Sequence, residues 1–152
     1  MAAGTWKVPN TAKSKLGLGT LNLAGEFRLA LFQAASNLKT SASALPRGVF
    51  NSLTSEVAAG NGYATGGYAL TSENWVAGRS VKEFRFSVAS FTFTASGGTI
   101  PNIMFAAIVM SAAASAGKHI AAYVTLTTSQ FTLAQNNTAT LTPPATGVFY
   151  MV

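Results

Sequence analysis

The sequence predicts a mainly β protein: an antiparallel β-sandwich or barrel-like body of jelly-roll type, with one short helix and an extended N-terminal arm. Three observations predict this class. Many short alternating or apolar runs are separated by turn residues, as in all-β domains. The run "IMFAAIVM" at 103–110 is apolar at every position, which a strand covered on both faces requires. The first twenty residues sustain no period of 2 or of 3.6.

The elements follow in chain order. Residues 1–20 mix Gly4, Pro9, Gly17 and Gly19 with Lys7, Lys13 and Lys15, and their apolar residues Trp6, Val8, Leu16 and Leu18 are scattered. That composition suits an extended arm, mobile or ordered by lying on a partner, with Trp6 as its anchor. The single β-rich body spans 21–152. Phe27, Leu29 and Leu31 alternate against Arg28, Ala30 and Gln33 as a first strand. Val49, Phe50, Leu53 and Val57 fall on one face of a short helix that begins after Pro46-Arg47-Gly48, with Glu56 on its outer side. The stretch "GNGYATGG" at 60–67 follows. Gly60 is expected to cap that helix, and Gly62, Gly66 and Gly67 to supply positive φ or close backbone approach on the way into a strand at 68–71.

Beyond residue 71 the pattern is β. Phe84, Phe86 and Val88 are even and Phe91 and Phe93 odd, so the inward face changes near Ala89-Ser90, where a β-bulge is expected. Ala95-Ser96-Gly97-Gly98 is the turn into the strand at 99–110. At 119–127, Ile120, Ala122, Val124 and Leu126 face in while Tyr123 and Thr125 face the other way. Short strands at 131–133, 138–142 and 148–152 complete the chain.

Composition bounds the function. A chain of 152 residues buries roughly 70% of its unfolded surface without staples. It has no Cys, which removes disulfides and thiolate metal sites. Charged residues make up 9% against about 25% in an ordinary domain, and apolar residues 49%, which suggests surface hidden by other subunits. The net charge of +6 reflects scarce acids: Glu26, Glu56, Glu73 and Glu83, with no Asp. Lys7, Lys13 and Lys15 form the one basic cluster, and Arg79, Lys82 and Arg85 are interrupted by Glu83. No dense basic stripe with interleaved aromatics points to direct nucleic-acid binding. No signal peptide is expected at the N-terminus, and the most apolar segment, 103–116, is too short to span a membrane.

The motifs of chemistry fail on spacing. In G-x-G-x-x-G the third glycine follows the second by three residues, whereas Gly66 follows Gly62 by four, and the order here is helix then strand. His119 is the only histidine, so nucleophilic catalysis has one available imidazole base; Gly78-Arg79-Ser80-Val81-Lys82 lacks the last glycine of a nucleophile elbow. One His and four separated Glu do not assemble a metal shell. The expectation is no catalytic, cofactor or metal residue and no small-molecule substrate. Asn136-Asn137-Thr138 reads as a turn rather than a glycosylation site.

A set of motifs adds a resemblance. "SEVAAGNGYATGGYALT" at 55–71, Trp75, "FTASGGTIPN" at 93–102, "GKHIAAYVTL" at 117–126 and the closing "LTPPATGVFYMV" together resemble small structural proteins of tailed bacteriophages over about 21–152. The resemblance implies a β-structured virion component without enzymatic activity, most often a head decoration (cement) protein. It would sit on the capsid surface after assembly in the host cytoplasm. The implied partners are the major capsid protein and further copies of the chain, with a homotrimer preferred. Trp6, Lys7, Lys13 and Lys15 would then form the capsid-binding interface. The alternative is a tail or fibre subunit that touches the host surface through sugar, with Trp75, Tyr63 and Tyr68 as stacking candidates.

Overall fold

The computed structural model describes residues 4–19, 25–39, 48–71, 73–77, 84–110 and 118–151, and it is mainly β and antiparallel. At its centre is a four-stranded sheet in the order β2 (Tyr68–Ala69), β1 (Phe27–Phe32), β7 (Phe105–Met110) and β8 (Ile120–Thr125). Three small sheets accompany it. One pairs β5 (Phe91–Thr94) with β10 (Thr138–Leu141), another pairs β6 (Ile100–Ile103) with β9 (Phe131–Leu133), and the third runs β11 (Phe149–Met151), β4 (Phe84–Ser87) and β3 (Asn74–Ala77).

The apolar sequence of β7 is explained by cover on both faces. Ala106, Ile108 and Met110 join the larger core with Phe27, Leu29 and Leu31 of β1, and with Phe86, Phe93, Ile100, Ile103, Leu133 and Leu141 from the small sheets. Phe105, Ala107 and Val109 join a second core with Ala30, Phe32, Leu38 and Tyr123, against which Phe50, Leu53 and Met104 pack. The arrangement is sandwich-like, with the four-stranded sheet as one layer and the small sheets as the other. Each fully buried Phe, Leu or Ile here contributes about 1.5–3 kcal/mol relative to exposure.

Six expectations are corrected. The strand expected at 99–110 is two, β6 and β7, which part at Met104 and pair in different sheets. The N-terminal segment is not extended throughout: Asn10–Gly17 is α1, an eight-residue helix that starts after Pro9, whose ring presets a helix-compatible φ. The helix expected over Val49, Phe50, Leu53 and Val57 is only a 3-10 turn at Phe50–Ser52. Flanking backbone is drawn into β-bridges instead, Val49 with His119 and Glu56 with Phe32, so tertiary pairing overrides the helical spacing. Pro46 and Arg47, expected just before that helix, lie outside the described residues. Gly60 therefore caps no helix; it closes a two-residue hairpin with Tyr63 around Asn61-Gly62, both at positive φ, as a type I′ turn demands. The phase change at 88–90 is a break between β4 and β5, which belong to different sheets, rather than a bulge within one strand.

The sixth correction concerns β8. Ile108 faces Ala122 and Val109 faces Ile120, which leaves Ala121 as the extra residue of a bulge. Ile120 consequently points into the second core with Tyr123, while Ala122 and Val124 point into the first. Residues 111–117, which follow β7, lie outside the described residues, as do Arg79 and Lys82.

Candidate partner interface

Residues 4–17 dock on the outer edge of β8. Lys7 and Tyr123 exchange both main-chain hydrogen bonds, Lys7 N–H to the Tyr123 carbonyl at 2.8 Å and Tyr123 N–H to the Lys7 carbonyl at 2.9 Å. Gly4 N–H donates to the Thr125 carbonyl at 3.3 Å. The approach is close enough that a Cβ on Gly4 would stand 2.9 Å from that carbonyl oxygen. The segment thus covers a sheet edge that would otherwise present unpaired N–H and C=O groups. Beyond it, Ala12 of α1 is buried in the first core, and Thr11 of α1 stands where a side chain on Gly48 would be.

The four expected interface residues divide. Trp6 is only 8% exposed and belongs to the protein's own core, so its anchoring surface is internal rather than a partner's. Lys7 and Lys13 are exposed and Lys15 is half-buried. The Lys7 ammonium lies 6.0 Å from the Tyr123 ring centroid, the outer limit of a cation–π contact. No acid occurs before Glu26, so the docked segment carries positive charge alone. The Lys118 ammonium lies 5.7 Å from the Phe50 ring centroid.

Beside Trp6 an open cavity of about 580 Å³ separates Gly4, Thr5 and Trp6 from Pro144, Thr146, Gly147, Val148 and Phe149. The Trp6 indole N–H is buried without a hydrogen-bond acceptor among the described residues. His119 is also partly buried, and its Nδ1 lacks a partner there. Burial, and then the nearby Lys15 charge, hold its pKa below the ordinary value. No group of three or more metal-ligating side chains occurs among the described residues. None of their helices is long and apolar enough to cross a membrane.

The glycine stretch is fixed by a polar network that sequence reasoning missed. Tyr63, 3% exposed, accepts the Leu31 N–H at 3.0 Å and donates its hydroxyl to Glu56 Oε1 at 2.6 Å. Glu56 Oε1 also accepts the Gly66 N–H at 2.7 Å, so Glu56 turns inward rather than outward. Burial first, and then the Glu56 hydrogen bond, raise the Tyr63 pKa well above its ordinary value. Arg28 donates from Nε to the Gly66 and Gly67 carbonyls at 3.2 and 3.1 Å, and its Nη2 donates to the Gly67 carbonyl as well. Gly67 has no room for a side chain: with φ at +83°, a Cβ would collide with the Leu29 carbonyl.

The two glycine motifs meet. Ser96 N–H donates to the Asn61 carbonyl at 2.9 Å, and Asn61 Nδ2 donates to the Thr99 carbonyl at 2.6 Å. A Cβ on Gly62 would stand 2.7 Å from the Thr94 carbonyl oxygen. The stretch is therefore a structural corner that joins β1, the hairpin at 60–63 and the turn before β6. The sugar-stacking candidates are engaged internally as well. Tyr68 packs edge-on against Tyr63 at 5.4 Å and nearly parallel to Phe93 at 5.7 Å, while half-buried Trp75 lies 6.2 Å from Phe149.

Comparisons with protein-family models, with curated proteins and with solved structures return no match.

Proposed function

We propose that this chain is a non-enzymatic structural protein of a bacteriophage virion, a decoration (cement) protein that binds the assembled head and bridges neighbouring capsid subunits. The observation that carries the reading is a positively charged segment held in fixed register: Lys7 and Lys13 are exposed on residues 4–17, which are strand-paired and core-anchored on β8. Such a face is prepared to meet an acidic, repeated protein surface without ordering a flexible tail on binding. The motif resemblance over 21–152 supports the virion context, and the 9% charge content fits a protein whose surface is shared with neighbours.

The mechanism is mass action. A ligand that binds the finished shell, and binds it only in that form, stabilises it in proportion to ligand concentration over Kd, and multivalent contact strengthens the effect. A homotrimer on the capsid surface would supply that multivalency. The test is co-sedimentation of the purified protein with empty heads of the phage that encodes it. Saturable binding that weakens as salt rises is expected, and heads that pellet without the protein at low salt would contradict the proposal.

A further inference from the structure

The cavity beside Trp6 is walled by main chain that the fold leaves unpaired. Lys7 gives both its N–H and its C=O to Tyr123, so the alternation of an extended chain turns the N–H and C=O of Trp6 away from β8. Neither group of Trp6, nor of Thr5, has a hydrogen-bond partner among the described residues. The Trp6 indole N–H lacks one there too. On the facing wall, Gly147 and Val148 give their N–H groups to the Pro144 and Phe86 carbonyls. Their own carbonyls, and both main-chain groups of Thr146, make no hydrogen bond among the described residues. Trp6, Gly147 and Val148 are buried, and the great majority of buried backbone N–H and C=O groups in folded proteins are paired. A ligand that satisfies this cavity therefore has to bring donors and acceptors together.

We propose that the cavity takes an extended peptide segment of a partner protein, whose main chain pairs with Trp6 on one side and with residues 146–148 on the other. The chemistry of the walls selects that occupant. None of the described lining residues is ionisable, so a charged ligand would lose hydration without gaining a counter-charge. An extended peptide offers N–H and C=O groups along both of its edges, which matches two walls of main chain. Strand addition of this kind takes affinity from main-chain bonds and specificity from pockets for alternate side chains. Trp6, Val148 and Phe149 supply the apolar part of the lining, which suits an uncharged, β-branched side chain. The bound peptide would bridge the segment paired to β8 and the segment that leads into β11. The inference stands on this cavity and does not depend on shell binding by Lys7 and Lys13.

The test is an NMR titration of the isotope-labelled full chain with an acetylated, amidated pentapeptide of alternating threonine and valine. The same peptide N-methylated at both valines keeps every side chain and loses the donors that strand pairing needs. Saturable shifts are expected at the main-chain amides of Thr5, Trp6 and Thr146 and at the Trp6 indole N–H. Amide exchange at Trp6 and Thr146 should slow at least tenfold at saturation. The N-methylated peptide should bind at least tenfold more weakly. Thr5→Trp sets a bulky side chain at the cavity from an exposed position, and should weaken peptide binding at least tenfold without lowering the Tm. No saturable shift at millimolar peptide, shifts that map away from these residues, or equal binding of the N-methylated peptide would each overturn the proposal. If the same shifts arise on concentrating the protein alone, the occupant is a second copy and the partner peptide is refuted.

Discussion

Replacing Tyr63 with Phe isolates the network that fixes the glycine corner. The ring stays, with its packing against Tyr68, and only the hydroxyl is lost. Two consequences follow from its geometry: Leu31 N–H, 3.0 Å from that oxygen in the interior, loses its acceptor, and Glu56 loses the 2.6 Å donor. An unsatisfied buried amide costs about 1–3 kcal/mol and a lost hydrogen bond about 0.5–1.5 kcal/mol, for a total of about 2–4 kcal/mol. In a chain of this length each kcal/mol moves the Tm by about 2–4 °C, so a fall of about 5–15 °C at pH 8 is expected by circular dichroism.

The pH dependence sharpens the test. Because the folded-state pKa of Tyr63 lies above its unfolded value of 10.0, the associated stability is complete below that value. It is lost as pH rises and the unfolded state ionises. The Tyr63→Phe variant has no such loss. The gap between wild type and variant should therefore narrow by about 1.4 kcal/mol from pH 8 to pH 11. Tyr68 and Tyr123, also raised by burial, are common to both proteins and cancel in the comparison. A Tm change under about 2 °C, or a gap that stays constant with pH, would refute the network as described.

Other substitutions test the remaining joints. Gly67→Ala drives a methyl into the Leu29 carbonyl and should cost more than Gly60→Ala, whose added methyl meets nothing within 4 Å; urea midpoints that reverse this order would contradict the corner geometry. Trp6→Ala should lower stability by about 2–4 kcal/mol, since the cavity term is partly offset by removal of an unpaired N–H, whereas Trp6→Phe should be close to neutral. Deleting residues 1–19 removes Trp6 and bares the β8 edge, so the truncated chain should unfold at lower temperature and aggregate rather than remain an intact body. His119 has a depressed folded-state pKa, so stability should fall as pH drops through its unfolded value of 6.5, and His119→Gln should flatten that limb of the urea-midpoint profile.

The strands were the legible part of the sequence. The cover of β7 on both faces showed in six of the eight consecutive apolar letters, the run itself beginning in β6, and the alternation at 27–32 showed β1. The turn at Asn136 and the short strands around it were marked by their composition. What was not legible depended on contacts distant in the chain. α1 exposes most of its surface and buries chiefly Ala12, so it has little apolar period to read, although Pro9 marked its start. The spacing at 49–57 fitted a helix, and only the distant bridges to His119 and Phe32 turn it into extended chain. The network around Tyr63 was hidden because Glu56, Tyr63, Arg28 and Leu31 meet only once the hairpin closes. The hairpin itself carries a local signal, since Asn61-Gly62 is the type I′ dipeptide. At the interface, the Lys cluster is visible in the sequence, whereas nothing local to Trp6 shows that the hydrophobic surface it covers is the protein's own.

The central claim, that the basic docked segment binds an acidic protein lattice, is tested most directly by charge reversal. Lys7→Glu/Lys13→Glu alters two exposed side chains, so its Tm should stay within about 2 °C of wild type. The measurement is co-sedimentation of both proteins with empty heads across a salt series. The account predicts saturable wild-type binding that weakens with salt, and a variant whose affinity falls at least tenfold while its fold is retained. Equal affinity for the two proteins, with no salt dependence in either, would contradict it.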